Sequence, residues 1–396
     1  MGTSARPAIR IFDTTLRDGE QAPGFSMSPA DKVRLAGQLE KLGVDIIEAG
    51  FPIASAADFE GVAAVARAVR TPVIAALARA VPEDVTAAWD AVRQAARPRI
   101  HVFLATSDLH LSAKLRITRE QCLEAIIENV TRARNHVDDV EFSAEDATRS
   151  DRDFLCRVVE AAIKAGATTI NLPDTVGYGI PDETREFFAE IIRRVPNSDK
   201  AIFSVHCHDD LGLAAANSLA ALEGGARQIE CTINGIGERA GNASLEELVM
   251  ALRVRQDRLP YDTAINTPLL FETSQLLSQL TSEPVQSNKA IVGRNAFAHE
   301  AGIHQDGMLK DSRTYEIMRP ADVGQTANQL VLGRHSGRHA VGQRAEQLGL
   351  TLTADELAQV YHAVVTMGEH RKSIGDNDIR RMVERVRAGQ TAEVAG

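Results

Sequence analysis

Aromatic side chains are scarce, at 4% of 396 residues with a single tryptophan, against 44% hydrophobic residues overall. A core drawn from this composition is aliphatic, built from Ala, Val, Ile and Leu as in closely packed β/α folds. Cysteine is scarce too. Cys122, Cys156, Cys207 and Cys231 are scattered without a CxxC pair, which argues against a disulfide framework and fits reduced thiols in a cytosolic protein. No apolar run approaches the ~18 residues of a membrane-spanning helix, and the N-terminal MGTSARPAIR lacks the apolar segment of a secretory signal. Positive charge is short as well: the net charge is −10 with no strongly basic run, which argues against a nucleic-acid surface. The expectation is a soluble, cytoplasmic protein that uses neither nucleic acid nor membrane and meets anionic ligands with local clusters of cations.

What the chain does contain is rhythm. Short apolar runs of β character recur at 9–15, 45–51, 72–78, 100–106, 140–145, 168–173, 201–208 and 228–233. Between them lie stretches of helical pattern, among them 29–42, 119–135, 151–165, 182–194 and 213–223. Ser28 before Pro29 and Ser150 before Asp151 read as N-caps, and Gly43 and Gly166 as left-handed stops. Eight strand-then-helix units predict an α/β fold, a (β/α)8 TIM barrel, in preference to an open doubly wound sheet.

Such a barrel concentrates reactive side chains at the C-terminal ends of its strands. Polar residues stand there in this sequence: Arg17 and Asp18, Glu48, His101 and Thr106, then Glu141, Ser143 and Glu145, then Asn171, Asp174 and Thr175, then His206 and His208, and finally Glu230, Thr232 and Asn234. Taken singly, each fits an internal salt bridge equally well. In VHCHDDL, His206 and His208 stand two apart on a strand and share a face. For an isolated pair, hydrogen-bonded core histidines are an equal reading. Asp18 and Asn242 add two oxygens to the two nitrogens, a mixed set that suits Mn, Zn, Fe or Mg.

After the eighth run the chain reads NGIGERAGNASLEE, where Gly235, Gly237 and Gly241 lead into a helix capped near Ser244. A glycine loop before a helix offers backbone NH groups to an anion, but its spacing departs from the dinucleotide GxGxxG pattern. Beyond about residue 260 the rhythm stops. Helical patterns return at 266–282, 354–367 and 376–386, and 288–310 is a long stretch without periodicity. LGRHSGRHA carries the cations Arg334, His335, Arg338 and His339, and GQTAEVAG at the end should fray.

Four motifs in order, FDTTLRDGEQAPG, VHCHDDLGLAAANS, NGIGERAGN and NAFAHEAGIHQDG, resemble the 2-isopropylmalate synthases. That family belongs to the metal-dependent barrels that include homocitrate synthase, citramalate synthase and hydroxymethylglutaryl-CoA lyase. The resemblance runs from about residue 8 to 340. It implies a barrel over 1–265, a linker and active-site-closing subdomain over 266–345, and a helical segment over 346–396. It also implies a Claisen-type condensation of acetyl-CoA with 2-oxo-3-methylbutanoate followed by thioester hydrolysis, the first committed step of leucine synthesis. The cofactor is a divalent ion, Mn2+ first, with Zn2+ or Mg2+ next, and acetyl-CoA is the co-substrate. Asp18, His206 and His208 match the family's metal ligands, with Asn242 as the fourth. Arg17 matches the arginine that steadies the developing oxyanion, while His101, Ser143 and Thr175 fall where the oxo acid is held. Glu145 matches a candidate base. His304 and Tyr315 match residues of the subdomain that closes over a partner protomer's barrel, which implies a homodimer. For His304 and Tyr315, ordinary loop packing is the plainer alternative.

Three rivals follow from the same motifs. Homocitrate synthase needs a cation for a second carboxylate, where this chain reads EFSAED and Glu141 would repel it. Citramalate synthase, which takes pyruvate, differs mainly in pocket size. The lyase carries a reactive cysteine in the glycine loop, which here holds Glu238 and Arg239. A non-catalytic binding role is a third class, separated by assay with and without a chelator. The family pattern closes with a leucine-binding domain; this chain stops at Gly396, and leucine is expected not to inhibit it.

Overall fold

In a computed structural model the eight apolar runs form a closed parallel barrel in strict sequence order. The strands are β1 Arg10–Asp13, β2 Ile46–Glu48, β3 Val73–Arg79, β4 Pro98–Ala105, β5 Val140–Glu145, β6 Thr169–Asp174, β7 Ile202–Cys207 and β8 Gln228–Cys231. Pairing of β1 with β8 closes the ring. The structure describes residues 6–299, 304, 308, 310–325, 329–330, 332, 335–370 and 374–390. Arg334 and the end of the C-terminal segment lie outside these residues.

The helices that cover the barrel are α1 Pro29–Leu42, α2 Ala56–Ala68, α3 Pro82–Val92, α4 Arg119–Arg134, α5 Arg152–Ala165, α6 Pro181–Arg194, α7 Ala214–Glu223 and α8 Leu245–Val254. Their ends follow local chemistry. Ser28 and Asp31 form a reciprocal capping box on α1, and Gly43 ends it at φ 90°. The cap of α5 is displaced by one residue from the sequence reading: Asp151 accepts from the Phe154 amide. Ser150 instead bonds Thr106 Oγ1 and the Asp146 carbonyl, inside the loop layer above the barrel. Ser244 precedes α8 without a side-chain cap bond.

β7 ends at Cys207, one residue short of the second histidine. His208 keeps the inward face because an isolated antiparallel bridge ties it to Asn242. The barrel's floor is apolar around Phe12, Ile46, Val73 and Ala75. Arg99 lies beside Phe12, 5.9 Å from its ring, and is fully buried. It holds Glu141 at 2.6 Å and forks onto Asp139 at 3.0 Å, while Gln228 bridges Glu141 and Ser204. These inward groups are each paired, the arrangement a buried charge requires.

The chain divides into two units, Met1–Val285 and Gln286–Gly396. A 3-10 turn Thr267–Leu269 and helix α9 Leu270–Thr281 end the first. The second packs helices Arg338–Gln347, Ala354–His370 and Asp376–Arg387 around Val341, Val360, Val364, Ile379 and Met382. It also carries a short parallel pair, Ala298–His299 with Gln329–Leu330. Among the described residues, no helix is long and apolar enough to cross a membrane, and all four cysteines are free.

Candidate active site

Asp18, His206 and His208 each offer one ligand atom, and these atoms all lie within 4.8 Å of one another. The loop after β1 brings Asp18 there, and β7 with its bridge brings the histidines. The two Nε2 atoms are 3.2 Å apart, and Asp18 Oδ2 lies 3.8 Å and 3.9 Å from them. His206 Nδ1 meets Glu230 Oε2 at 2.8 Å, so its proton belongs on Nδ1 and its Nε2 lone pair faces Asp18. Burial pulls both imidazoles down to about 4, leaving them neutral at pH 7. Burial also opposes the charge on Asp18, but Arg17 and the two histidines hold its carboxyl well below the usual range.

Asn242 stands on the same point from the glycine loop. Its Nδ2 donates to Asp18 Oδ1 at 2.8 Å and to the Ile236 carbonyl, while its buried Oδ1 has no partner. A half-turn of the amide would exchange the two. The His206 Nε2 lone pair, the facing His208 Nε2, an ionised carboxylate and an orphaned amide oxygen make a donor set that fits a divalent cation. A second acidic group, His101, Glu141 and Glu230, also gathers. Both His101 nitrogens are already engaged there, with Glu48 Oε1 at 2.7 Å and Ser143 Oγ at 2.6 Å, so it offers no histidine lone pair.

Glu48 is the hub of the layer. It takes Arg17 Nε at 2.5 Å, Thr14 Oγ1 at 2.6 Å and His101 Nδ1. Burial opposes its charge, yet Arg17 and His101 draw it down to about 2. Arg17 spans from Glu48 to Asp18, donating Nη1 to Asp18 Oδ2 at 2.8 Å. Above them opens a cavity of about 210 Å3, lined by Arg17, Asp18, His101, Ser143, Glu145, Thr175, both histidines and an apolar arc of Phe51, Leu77, Phe103 and Pro173. His101 and Asn171 Nδ2, the latter at 2.8 Å, both reach Ser143 Oγ. Thr175 Oγ1 accepts the Asp146 amide at 2.9 Å. The Thr175 hydroxyl hydrogen is thus open to a ligand, and that of Ser143 is open when His101, which faces the Glu48 carboxylate through Nδ1, is an imidazolium donating through Nε2.

Glu145 lines the same cavity and is bonded to Lys114 Nζ at 2.6 Å, with His110 Nδ1 at 3.7 Å. Lys114 and His110 come from a π-turn, His110–Leu115, in the loop after β4. His304 and Tyr315 belong to the second unit, where their rings lie 4.5 Å apart. The Glu141 argument fails on geometry: the side chain is fully buried, bonded to Arg99 and Gln228, and does not line the cavity. Sequence reading passed over Arg99 and Gln228. An arginine two positions before His101 in an apolar run was the available signal.

Residues 8–277 match the model of the HMGL-like family, and residues 291–372 match that of the homocitrate synthase post-HMGL domain-like family. The 2-isopropylmalate synthase of Carboxydothermus hydrogenoformans is 58% identical over 376 residues, 95% of this chain and 74% of that one. Those of Methylorubrum populi and Rhodopirellula baltica are 58% and 59% identical, over 96% and 95% of this chain and 73% and 71% of theirs. The chain belongs to the 2-isopropylmalate synthase family, within the HMGL-like proteins. Solved structures share the barrel at greater distance. Hydroxymethylglutaryl-CoA lyase of Pseudomonas aeruginosa superposes at TM-score 0.60 with 23% identity, over 70% of this chain and 94% of that one. That of Brucella melitensis superposes at 0.58 with 21% identity, over 70% and 99%. At such identity the likeness is one of fold. For this member of the 2-isopropylmalate synthase family, the lyase reading therefore has no support beyond architecture, and the glycine loop carries Glu238 and Arg239 in place of a cysteine.

Proposed function

We propose that the chain condenses acetyl-CoA with 2-oxo-3-methylbutanoate and hydrolyses the resulting thioester to 2-isopropylmalate. The observation that carries this reading is the convergence of Asp18, His206 and His208 on one point at the barrel mouth, beside the unpartnered Asn242 oxygen. These four residues would hold a divalent cation, Mn2+ first. When bound, it would act as a Lewis acid on the oxo acid's carbonyl.

The chain's own groups do the rest. The Ser143 and Thr175 hydroxyls donate to the oxo acid's carboxylate, and His101 orients Ser143. Glu145 takes a proton from the acetyl methyl, and the carbanion forms a bond to the carbonyl carbon. Arg17, fixed between Glu48 and Asp18, stabilises the alkoxide that results, which takes the proton Glu145 removed from the methyl. Water then adds its oxygen to the thioester carbonyl and the C–S bond breaks, releasing a carboxylate, the free thiol and one proton to solvent. The apolar arc of Phe51, Leu77, Phe103 and Pro173 supports a branched aliphatic oxo acid over pyruvate or 2-oxoglutarate.

His304 and Tyr315 are assigned to closure and proton handling over a partner protomer's barrel. Support comes from the mouth's loops, where Leu109, Tyr178, Ile180 and Leu211 stand exposed as an apolar rim. The domain limits given above, a homodimer and a cytoplasmic location complete the proposal. Mass detection of products from acetyl-CoA with each of the three oxo acids, with and without EDTA, tests it. 2-Isopropylmalate is expected to dominate and to vanish with chelation. Preferred citramalate or homocitrate, or chelator-insensitive turnover, would overturn it.

A further inference from the structure

Beside the cavity runs a groove of about 570 Å3 that shares Phe103 and Glu145 with it. The loops after β2, β3 and β4 form its walls. Ile53, Val81, Leu104 and Leu115 make the apolar part with Phe103, and Ile53 and Val81 are each 38% exposed.

Its charges decide what it can take. Arg79 and Lys114 stand against Glu83, Asp84 and Glu145, two cations to three carboxylates. Both cations are already committed: Arg79 forks onto Asp84 at 2.7 Å and 3.0 Å, and Lys114 holds Glu145 at 2.6 Å. A phosphate would find no spare positive charge and one excess carboxylate. A neutral chain with methyl groups and amides would find an apolar wall of a volume typical of ligand clefts.

We propose that this groove binds the pantetheine arm of the acyl thioester, keeps the nucleotide phosphates outside, and delivers the acetyl methyl to Glu145 where groove and cavity meet. The inference rests on the acetyl-CoA condensation proposed above and adds the route by which the thioester enters. Oxo acid and thioester then approach from different sides, the first held by Ser143 and Thr175, the second along the β3–β4 side.

Val81→Trp and Ile53→Trp narrow the groove from exposed positions, and Ile127→Trp, equally open on α4 but outside it, serves as control. Val81→Trp and Ile53→Trp are expected to raise KM for acetyl-CoA and weaken CoA binding in calorimetry by about tenfold or more. Affinity for 2-oxo-3-methylbutanoate in the Mn2+-loaded protein should stay within about twofold, and Ile127→Trp should match the unaltered chain. Unchanged acetyl-CoA KM and CoA affinity in both groove variants, with the unaltered chain turning over, would overturn the groove and leave the condensation standing. If the unaltered chain binds CoA but makes no product, the condensation falls. Weakened CoA binding in Val81→Trp would then still support the groove. Absence of both binding and turnover would sink the two together.

Discussion

Glu230 never reaches the cation point, yet it fixes which His206 nitrogen does. Its Oε2 lies 2.8 Å from Nδ1 and leaves Nε2 unprotonated toward Asp18. Glu230→Gln keeps the volume and removes the charge that favours that tautomer. Metal titration of this variant should show affinity weaker by ~10–100-fold with the fold intact, the usual effect of losing a carboxylate behind a ligating histidine. Unaltered affinity would mean that Glu230 serves the core alone. The histidines also set a pH window. Their folded values near 4 lie below the unfolded value near 6.5. The unfolded chain therefore binds more protons than the folded one between those limits, so stability of the metal-free protein rises with pH across that window. Metal retention follows the same sign: it should persist as pH falls past 6 and be lost toward about 4. Release centred near pH 6.5 would mean ordinary, solvated imidazoles.

The glycine loop after β8 is legible in place, and its packing adds a purpose the sequence does not name. As sequence, Gly235, Gly237 and Gly241 offer backbone NH groups to an anion, a weak signal alone. In the structure a Cβ on Gly237 would come within 2.1 Å of Asn242 Nδ2 and 3.0 Å of Asp18 Oδ1, and one on Gly241 within 2.0 Å of the Gly235 carbonyl. The loop is bare so that its backbone can pass against two of the groups at the cation point. Gly237→Ala is expected to push Asn242 off Asp18, cutting bound metal and kcat by ~100-fold or more at unchanged secondary structure. Normal metal content by elemental analysis would refute that. Eight strands, the cap at Ser28 and the stops at Gly43 and Gly166 were readable because each follows from local period or φ requirement. The one-residue shift from Ser150 to Asp151 and the π-turn that aims Lys114 at Glu145 were not, since both depend on hydrogen bonds between loops distant in sequence.

At the scale of the molecule, the sequence places acidic residues on strand after strand but says nothing of which face a cation and which face an arginine. Glu48 and Glu141 look alike as sequence, both at inward strand positions. Side-chain partners separate them: Glu48 takes Arg17 and His101, whereas Glu141, although it pairs in register with His101, is held by Arg99. Burial lifts Glu141 to about 7 in spite of Arg99, and Glu230 to about 7 as well. Beside the histidines, the ionised Asp18 and the partly ionised Glu230 therefore keep negative charge that burial opposes. A divalent ion at Asp18 would relieve it, so the barrel should be most stable with metal bound. A ligand present at about 100 times its Kd adds ~2.7 kcal/mol, which for a barrel of this size corresponds to a rise of roughly 3–5 °C in Tm. Calorimetry with Mn2+ against EDTA should show that shift, and Asp18→Asn should abolish it while leaving the metal-free transition in place. A metal-independent Tm in the unaltered chain would mean that this negative charge is met within the fold, and the convergence of Asp18 with the two histidines would then have to be explained without an ion.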